Sequence, residues 1–245
     1  MVLAALLALA PTQVLERAHA HNDYEHARPL LDALDRGFAS VEADLFLVDG
    51  KLLVGHSRKE LKASRTFESL YLKPLLNRAK QNSGWIYPRY YGTFWVLVDL
   101  KENGAAIYKT FKKSLDAIPD FKSVRFVISG DRPIADVLKD NGRRAGLDGR
   151  WPDLNKKISP TLMPWISEDW SSHFKWDGKG EMPPAERERM GSMVGAAHMK
   201  GYKLRFWGSP DVEAVWKAEW SAGVDWINTD RLDALRSFIL KQKAP

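Results

Sequence analysis

The segment from Ala39 to His56 places two carboxylates inside an apolar stretch. It reads ASVEADLFLVDGKLLVGH, and Glu42 and Asp44 lie two residues apart in its first half. Because alternate residues of a strand project to the same face, both carboxylates point the same way. Like charges confined on one face repel each other, and a hard divalent cation relieves that repulsion. The pattern therefore predicts a metal site with oxygen ligands.

A third carboxylate ends another apolar run, which reads FWVLVDLK. Asp99 lies near the end of that run, and Lys101 follows two residues later on the same face. The chain has no cysteine, so thiolate ligands are excluded and an all-oxygen site favours Mg²⁺ or Ca²⁺. We expect Glu42, Asp44 and Asp99 to bind one such ion and Lys101 to contact the substrate. The alternative is that Asp99 caps the next helix and Glu42 pairs with a surface lysine.

Two histidines complete the set of groups that could do chemistry. His21 lies at the end of the first apolar run, in AHAHNDYEH, and His56 closes the segment that holds the two carboxylates. Two histidines beside a metal suit phosphodiester cleavage, since one removes a proton from the nucleophile and the other protonates the leaving oxygen. The metal and Lys101 would hold the phosphoryl oxygens. Two further histidines are expected to be structural: His173 and His198.

Positioning these groups on one rim requires strands that end side by side. Short apolar runs alternate with amphipathic helical patterns along the chain, which indicates βα units and a parallel sheet. The predicted strands are Arg17–His21, Ser40–Leu45, Phe94–Leu100, Val124–Ser129, Arg144–Leu147, Ser159–Met163, Lys203–Trp207 and Val224–Asn228. The predicted helices are Ala27–Arg36, Thr66–Gln81, Ala105–Ala117, Ile134–Asn141, Pro184–Lys200, Asp211–Ala222 and Arg231–Lys241.

About eight such units in 245 residues are typical of a (β/α)8 barrel, whose functional groups lie at the C-terminal ends of the strands. The rival is a doubly wound open sheet, but its glycine-rich first turn is not visible. Strand two is expected to continue into a hairpin that ends at His56, because Asp49-Gly50 separates two apolar runs. The tryptophan-rich region from Trp165 to Met182 is expected to form a loop over the barrel mouth.

The bulk composition indicates one globular domain. Of the 245 residues, 44% are hydrophobic and 28% are charged, which is enough for a large core and argues against disorder. No linker or internal repeat is visible, and we expect a monomer. The net charge of +6 favours a partner that carries phosphate. Nucleic acid is not expected, because no dense Lys/Arg block is interleaved with aromatic residues.

The first ten residues, MVLAALLALA, are all apolar. They are too few to span a bilayer, which needs about 20 residues, and they match the core of a secretory signal without its basic leader. We therefore divide the chain into a leader remnant over residues 1–16 and a barrel over residues 17–245, and we expect export to the periplasm or the medium. The alternative is a short capping helix at the barrel base of a cytoplasmic protein.

Four more residues are candidates for binding the substrate. Asp148 and Arg150 follow the fifth predicted strand in LDGR, Trp207 ends the seventh, and Asn22 follows His21. For Asp148, Arg150 and Trp207 the alternative is a structural role.

In this order the residues resemble the PI-PLC-like phosphodiesterase superfamily, and most closely its glycerophosphodiester phosphodiesterases. The elements that carry the resemblance extend across nearly the whole chain: His21-Asn22, Glu42-x-Asp44, Asp49-Gly50, His56, Asp99-Leu100-Lys101 and the closing segment GVDWINTD. The resemblance implies a (β/α)8 barrel, a Mg²⁺ or Ca²⁺ ion on the three acids, and acid–base roles for the two histidines.

Two departures from that pattern affect the substrate. The glycerophosphodiesterase pattern has His-Arg-Gly where this chain has His21-Asn22-Asp23, and Arg150 is the candidate replacement for the phosphate-holding arginine. The pair Asp99-x-Lys101 is similar to the sphingomyelinase D branch. We therefore expect a metal-dependent phosphodiesterase for glycerophosphodiester- or phospholipid-type substrates, with peripheral membrane contact. The alternative is a non-catalytic barrel that binds a phosphorylated ligand or a carbohydrate through its tryptophans.

Overall fold

The computed structural model describes residues 12–242, in which strands alternate with helices along the chain. The strands are β1 Leu15–Ala20, β2 Phe38–Val48, β3 Lys51–Val54, β4 Phe94–Leu100, β5 Val124–Gly130, β6 Ala145–Gly149, β7 Trp165–Asp169, β8 Lys203–Trp207 and β9 Ile227–Thr229. The α-helices are α1 Leu31–Asp35, α2 Lys73–Gln81, α3 Gly104–Asp116, α4 Ile134–Lys139, α5 Pro184–Met199, α6 Glu213–Ala222 and α7 Leu232–Gln242.

Eight parallel strands form a nearly closed barrel with helices between them. Their order around the sheet is β8-β7-β6-β5-β4-β2-β1-β9. A bridge between Arg205 and Trp226 connects the two ends of that order at the seam. The prediction of a (β/α)8 barrel is confirmed, and its functional rim is the one formed by the C-terminal ends of the strands.

β2 is longer than its neighbours because its final residues pair outside the barrel. They form an antiparallel ladder with β3. Asp49 and Gly50 connect the two strands with φ angles of 48° and 74°, the left-handed backbone that a two-residue hairpin turn requires. The chain then returns to the rim, where the Gly55 amide donates to the Asp44 carbonyl at 3.3 Å. This path delivers His56 beside the end of the barrel strand.

Three indoles fill the N-terminal half of the barrel interior. Trp95, Trp165 and Trp226 are in mutual contact, with ring centroids 5.1, 5.5 and 6.3 Å apart. Leu97 and Val127 belong to the same interior cluster. This apolar floor confines the polar side chains of the interior to the C-terminal half, where the local dielectric is low and charge interactions are strong.

One predicted strand is wrong. Ser159–Met163 forms a turn in which two amides donate to the Ser159 carbonyl, at 2.8 and 2.9 Å. The barrel strand of this region is Trp165–Asp169, which pairs in parallel with β8. Pro160 and Pro164 explain the difference, because neither residue has the amide proton that a ladder needs.

The prediction of a loop over the barrel mouth from Trp165 to Met182 is also wrong. Its first five residues are β7, and the rest connects β7 to α5 through a short 3-10 helix, Trp170–Ser172. Trp170 and Phe174 are buried in the core together with Met182. The aromatic residues of this region therefore pack inward instead of covering the mouth.

Strand boundaries at the two ends of the chain also differ from the prediction. β1 starts at Leu15, inside the range assigned to the leader remnant, and the last strand is shorter than Val224–Asn228 and shifted towards the C-terminus. The leader prediction for residues 1–10 lies outside the described residues and stays a prediction. In the part of the chain that is described, no helix combines the length and the apolar character needed to cross a membrane.

Candidate active site

Two neighbouring strands bring the three predicted metal ligands together. β2 and β4 pair in parallel with Asp44 opposite Asp99, and Glu42 shares a face of β2 with Asp44. One ligand atom from each of the three carboxylates lies within 4.8 Å of the other two. Glu42 and Asp44 are buried, whereas the Asp99 side chain is 20% exposed. The carboxylates therefore form a compact cluster, open towards the mouth at Asp99.

Lys101 bridges two of these carboxylates. Its Nζ atom lies 2.7 Å from Asp44 Oδ2 and 2.7 Å from Asp99 Oδ2. Burial disfavours the charge of the lysine, but Asp44 and Asp99 outweigh that effect and raise the pKa of Lys101. Lys101 is thus a fixed positive charge at the rim, and an ammonium group has a third proton to donate to a ligand.

Glu42 is held by two buried groups that no local sequence pattern links to it. Arg205 Nη2 donates to Glu42 Oε2 at 2.7 Å, and His19 Nε2 lies 3.2 Å from the same oxygen. Burial opposes ionisation of Glu42, but Arg205 and His19 outweigh it, so the pKa of Glu42 lies well below its usual range. Burial and Arg205 lower the pKa of His19 to about 4, so this imidazole is neutral. The available signal for Arg205 was a charged residue inside the apolar run KLRFW.

Their surroundings disfavour the anionic forms of the other two acids, Asp44 and Asp99. Burial and the charge of Glu42 raise the pKa of Asp44, and the same two causes raise the pKa of Asp99. Asp44 Oδ1 and Asp99 Oδ1 are buried, and no described residue donates a hydrogen bond to them. The hydrogen bonds of Glu42 likewise fall on Oε2. Each carboxylate therefore offers one uncommitted oxygen, which is the donor set of a hard divalent cation.

His21 pairs with a carboxylate that follows the last strand. Its Nδ1 atom lies 2.9 Å from Asp230 Oδ1. Burial lowers the pKa of His21, but Asp230 and the nearby Glu42 outweigh that effect and raise it overall. Asp230 was not singled out from the sequence, although its position directly after a strand was an available signal. With Nδ1 engaged by Asp230, Nε2 is the ring nitrogen left for chemistry.

His56 reaches the carboxylate cluster through the hairpin. Its Nδ1 atom lies 3.1 Å from the hydroxyl oxygen of Tyr24 and 3.6 Å from Asp44 Oδ2. The His56 side chain is 57% exposed, so a substrate at the mouth can reach it. Tyr24 is buried in the short 3-10 helix Asp23–Glu25 after β1. Sequence reasoning missed Tyr24, and its nearness to His21 along the chain was the one signal available.

Asn22 lies between the environments of the two histidines. Its backbone is left-handed, with φ 45° and ψ 35°, a conformation that asparagine adopts more readily than most residues. Its Nδ2 atom lies 3.0 Å from His21 Nδ1, and its Oδ1 atom lies 2.7 Å from the hydroxyl oxygen of Tyr24. The amide is thus engaged within the protein, and its predicted contact with the substrate stays a prediction.

Asp148 and Arg150 lie further around the barrel from the carboxylate cluster. Asp148 is buried, and its Oδ2 atom accepts hydrogen bonds from the Ser129 hydroxyl at 2.8 Å and from Arg150 Nη1 at 2.5 Å. Ser129 stands opposite Asp99 in the ladder between β4 and β5. Burial lowers the pKa of Arg150, but Asp148 and the more distant Asp99 raise it overall. Arg150 therefore provides a third cation near the cluster, in addition to Lys101 and Arg205.

The remaining predicted residues lie apart from this network. Trp207 ends β8 opposite Asp169 and is 43% exposed at the same rim. The two histidines expected to be structural form carboxylate pairs elsewhere: His173 Nε2 lies 2.9 Å from Glu168 Oε2, and His198 Nε2 lies 2.7 Å from Asp225 Oδ2.

Comparison with known proteins points to a phosphodiesterase-like domain. Residues 12–128 match the family model described as the AIM6-like phosphodiesterase domain. The chain is similar to the "Altered inheritance of mitochondria protein 6 homolog" of Arthroderma benhamiae, with 27% identity over 263 residues that cover 90% of this chain and 82% of the relative. It is also similar to "Altered inheritance of mitochondria protein 6" of Eremothecium gossypii, with 28% identity over 284 residues, 92% of this chain and 70% of the relative.

A Saccharomyces cerevisiae protein of the same name is 25% identical over 277 residues, which cover 90% of this chain and 70% of the relative. The range matched by the family model, residues 12–128, contains both histidines of the site, the three carboxylates and Lys101. Asp148, Arg150 and Trp207 lie beyond that range. The likeness to a phosphodiesterase-like domain is thus carried by the half of the chain that holds the proposed catalytic groups.

Proposed function

We propose that this protein is a metal-dependent phosphodiesterase that cleaves glycerophosphodiester- or phospholipid-type phosphodiesters by acid–base catalysis with His21 and His56. The observation that carries the proposal is that two histidines and three carboxylates lie on one rim. The ligand atoms of the three carboxylates lie within 4.8 Å of one another. The match of residues 12–128 to a phosphodiesterase-like domain supports the type of reaction.

Glu42, Asp44 and Asp99 are the residues that would hold the divalent ion. Their uncommitted oxygens fit Mg²⁺ or Ca²⁺ better than zinc, since the set includes no nitrogen or sulfur ligand. A bound ion would neutralise phosphoryl oxygens and stabilise the charge that develops in the transition state. Lys101 would donate to a phosphoryl oxygen from the same side.

The two histidines have different surroundings, and this suggests different roles. Asp230 favours the protonated form of His21, which suits the group that protonates the leaving oxygen. His56 is the more exposed ring, and its Nδ1 atom is engaged by Tyr24. Its Nε2 atom is then free to remove a proton from the attacking hydroxyl or water.

The remaining predicted residues provide contacts for the rest of the substrate. Arg150, which is bonded to Asp148, would bind the phosphate in place of the arginine that is missing after His21. Asn22 and Trp207 are proposed to contact the groups esterified to the phosphate. The rival function, stacking of a carbohydrate, has less support, because Trp207 is the one exposed side chain among the ten tryptophans, all of which lie in the described range.

The experiment is a panel of phosphodiesters assayed with Mg²⁺, Ca²⁺ and Mn²⁺. Bis(p-nitrophenyl) phosphate, glycerophosphocholine and sphingomyelin represent a generic diester, a glycerophosphodiester and a phospholipid. Replacing His21 or His56 by alanine should lower the rate by at least about 10²-fold. His198→Ala is the matched control, because His198 pairs with Asp225 away from the site. Turnover that is unchanged in both His21→Ala and His56→Ala would refute the proposal.

A further inference from the structure

The hydroxyl group of Tyr24 lies where several groups of the site converge. It is 2.6 Å from Asp44 Oδ2, 3.1 Å from His56 Nδ1 and 2.7 Å from Asn22 Oδ1. The side chain is only 2% exposed, so these contacts are made away from bulk water. A metal-ligand candidate and a proposed catalytic base thus share one hydroxyl as a common neighbour.

The hydrogen bonds that the Tyr24 hydroxyl donates and accepts determine which ring nitrogen of His56 carries the proton. A phenol has one proton to donate and two lone pairs that accept. A carboxylate accepts more strongly than an imidazole nitrogen or an amide oxygen, so whenever Asp44 is ionised, as it is at alkaline pH, the proton of Tyr24 goes to Asp44 Oδ2, 2.6 Å away. The tyrosine oxygen is then left to accept from His56, which requires the proton of a neutral imidazole to be on Nδ1. If the nitrogen and oxygen of the Asn22 side-chain amide are exchanged by a flip, the amide nitrogen becomes a second donor to the Tyr24 oxygen.

His56 has little else to fix its orientation. Its side chain is 57% exposed, and within the described residues Tyr24 is the side chain that hydrogen bonds its ring. Tyr24 itself is rigidly placed. The neighbouring Asp23 accepts from the Leu30 amide at 2.6 Å and from the Tyr71 hydroxyl at 2.8 Å. A fixed tyrosine can therefore orient a mobile histidine.

We propose that Tyr24 is a positioning residue that fixes His56 in its Nδ1–H tautomer, so that Nε2 is the basic nitrogen offered to the substrate. Tyr24 does this while its own proton is held by Asp44, which links the orientation of the base to the carboxylate cluster. The kinetic consequence rests on the proposed function, but the tautomer does not. The two can therefore fail separately.

The direct test is ¹⁵N NMR of the histidine rings in the full chain, labelled with ring-¹⁵N histidine. His56 is assigned by the loss of its signals in His56→Ala. At alkaline pH, where imidazoles are neutral, the wild type should show a protonated Nδ1 and an unprotonated Nε2 at His56. Tyr24→Phe should shift His56 towards the Nε2–H form that predominates in free histidine. Tyr87→Phe is the matched control, because it removes another buried hydroxyl, which donates to the Phe38 carbonyl at 2.6 Å.

The second test is kinetic and uses a double-mutant cycle. Tyr24→Phe should lower kcat by about tenfold and change KM by less than about threefold, because a misoriented base slows proton transfer without removing substrate contacts. In the His56→Ala background the same substitution should slow the reaction no further. Tyr87→Phe should change neither parameter.

The proposal is overturned if wild-type His56 is an Nε2–H tautomer, a result that does not depend on whether Tyr24→Phe folds. It is also overturned if Tyr24→Phe leaves the His56 signals unchanged, or if it slows His56→Ala as much as it slows the wild type. If the tautomer is as expected but no phosphodiester is cleaved, the positioning role stands and the proposed function is what fails.

Discussion

At the scale of single residues, Lys101 and Arg205 explain how three carboxylates can share one buried site. Arg205 is bonded to Glu42 Oε2, and Lys101 is bonded to the Oδ2 atoms of Asp44 and Asp99. A buried charge without a partner is strongly destabilising, whereas a buried charge with a hydrogen-bonded partner is tolerated. When all three acids are ionised, these two cations leave one net negative charge at the cluster. That charge and the three uncommitted oxygens prepare the site for a cation.

Metal binding should therefore be visible in the melting temperature, and Asp44→Asn should abolish the effect. A ligand at about 100 times its Kd stabilises by about 2.7 kcal/mol, which for a chain of this size is a rise of roughly 5–10 °C. We expect that rise on adding Mg²⁺ or Ca²⁺ to chelator-treated wild type and no rise for Asp44→Asn. In chelator alone the variant should melt no lower than wild type, since it removes a charge that burial and Glu42 disfavour.

The control for that measurement is Asp49→Asn. Asp49 is exposed at the hairpin turn with φ 48°, a conformation that asparagine also adopts, so it should keep the full metal-dependent rise. A full rise in Asp44→Asn would show that the carboxylates are not the metal site.

Asp23 predicts a pH dependence of stability that is independent of the metal. Burial raises the pKa of Asp23 to about 7, above its unfolded value of about 3.9. The folded state therefore binds the proton more tightly, and this stabilisation is complete below about pH 4 and lost as the pH rises through about 7. Asp23→Asn should remove that slope and be more stable than wild type above about pH 7, by on the order of 4 kcal/mol. Urea denaturation across this range in chelator is the measurement, and an unchanged slope would contradict the assignment.

At the scale of elements, the end of β5 approaches β4 so closely that only glycine fits. Gly130 has φ 67°, and a Cβ atom there would lie 1.9 Å from Asp99 Oδ1 and 2.4 Å from the Leu100 carbonyl oxygen. The oxygen that it would meet is one of the uncommitted oxygens of the carboxylate cluster. The packing of two strands thus sets the position of a candidate metal ligand.

Gly130→Ala should therefore weaken metal affinity as well as stability. Displacing a ligand through its surroundings typically costs about 10–100-fold in affinity, and the left-handed backbone adds roughly 1–2 kcal/mol of strain. Calorimetric titration with Mg²⁺ measures the first effect and urea denaturation the second. Gly180→Ala is the matched control, because Gly180 has φ 64° but a Cβ atom there would meet no other atom within 4 Å. If both variants bind Mg²⁺ equally well, the close approach at Gly130 does not control the site.

At the scale of the whole molecule, strand pairing is extensive on one side of the barrel and sparse at the seam between β8 and β9. β4 and β5 pair over seven residues each, whereas β9 has three residues and meets β8 through the bridge between Arg205 and Trp226. The seam also lies beside groups of the site, since Arg205 bonds to Glu42 and Asp230 follows β9. Opening at the seam would therefore disturb both Glu42 and His21.

Hydrogen exchange should reveal this difference. Local stability follows the number of paired and buried neighbours, so the amides of β9 should be protected at least about tenfold less than those of β4 and β5, a difference of about 1.4 kcal/mol. Both regions are measured in the same native-state experiment, so each serves as the other's reference. Equal protection of β9 and β5 would mean that the barrel opens only as one unit.

The sequence by itself determined those features that depend on local spacing. Period-two spacing placed Glu42 and Asp44 on one face, and the Asp-Gly pair predicted the turn that the hairpin contains. The alternation of strands and helices led to the (β/α)8 barrel. From the barrel it followed that Asp99, at the end of the neighbouring strand, would lie beside the first two acids. Each of these inferences needs only the geometry of a strand, a turn or a βα unit.

Only the tertiary structure decided which distant residues complete the site. Arg205 meets Glu42 across 163 positions of the chain, and Asp230 meets His21 across 209. No periodic pattern encodes these contacts, because they exist only once the barrel brings its last strands beside the first. The strand wrongly placed at Ser159–Met163 had a local cause, because Pro160 lacks the amide proton that a ladder needs. What decides the true position of β7 is that Trp165 packs against Trp95 and Trp226 inside the closed barrel.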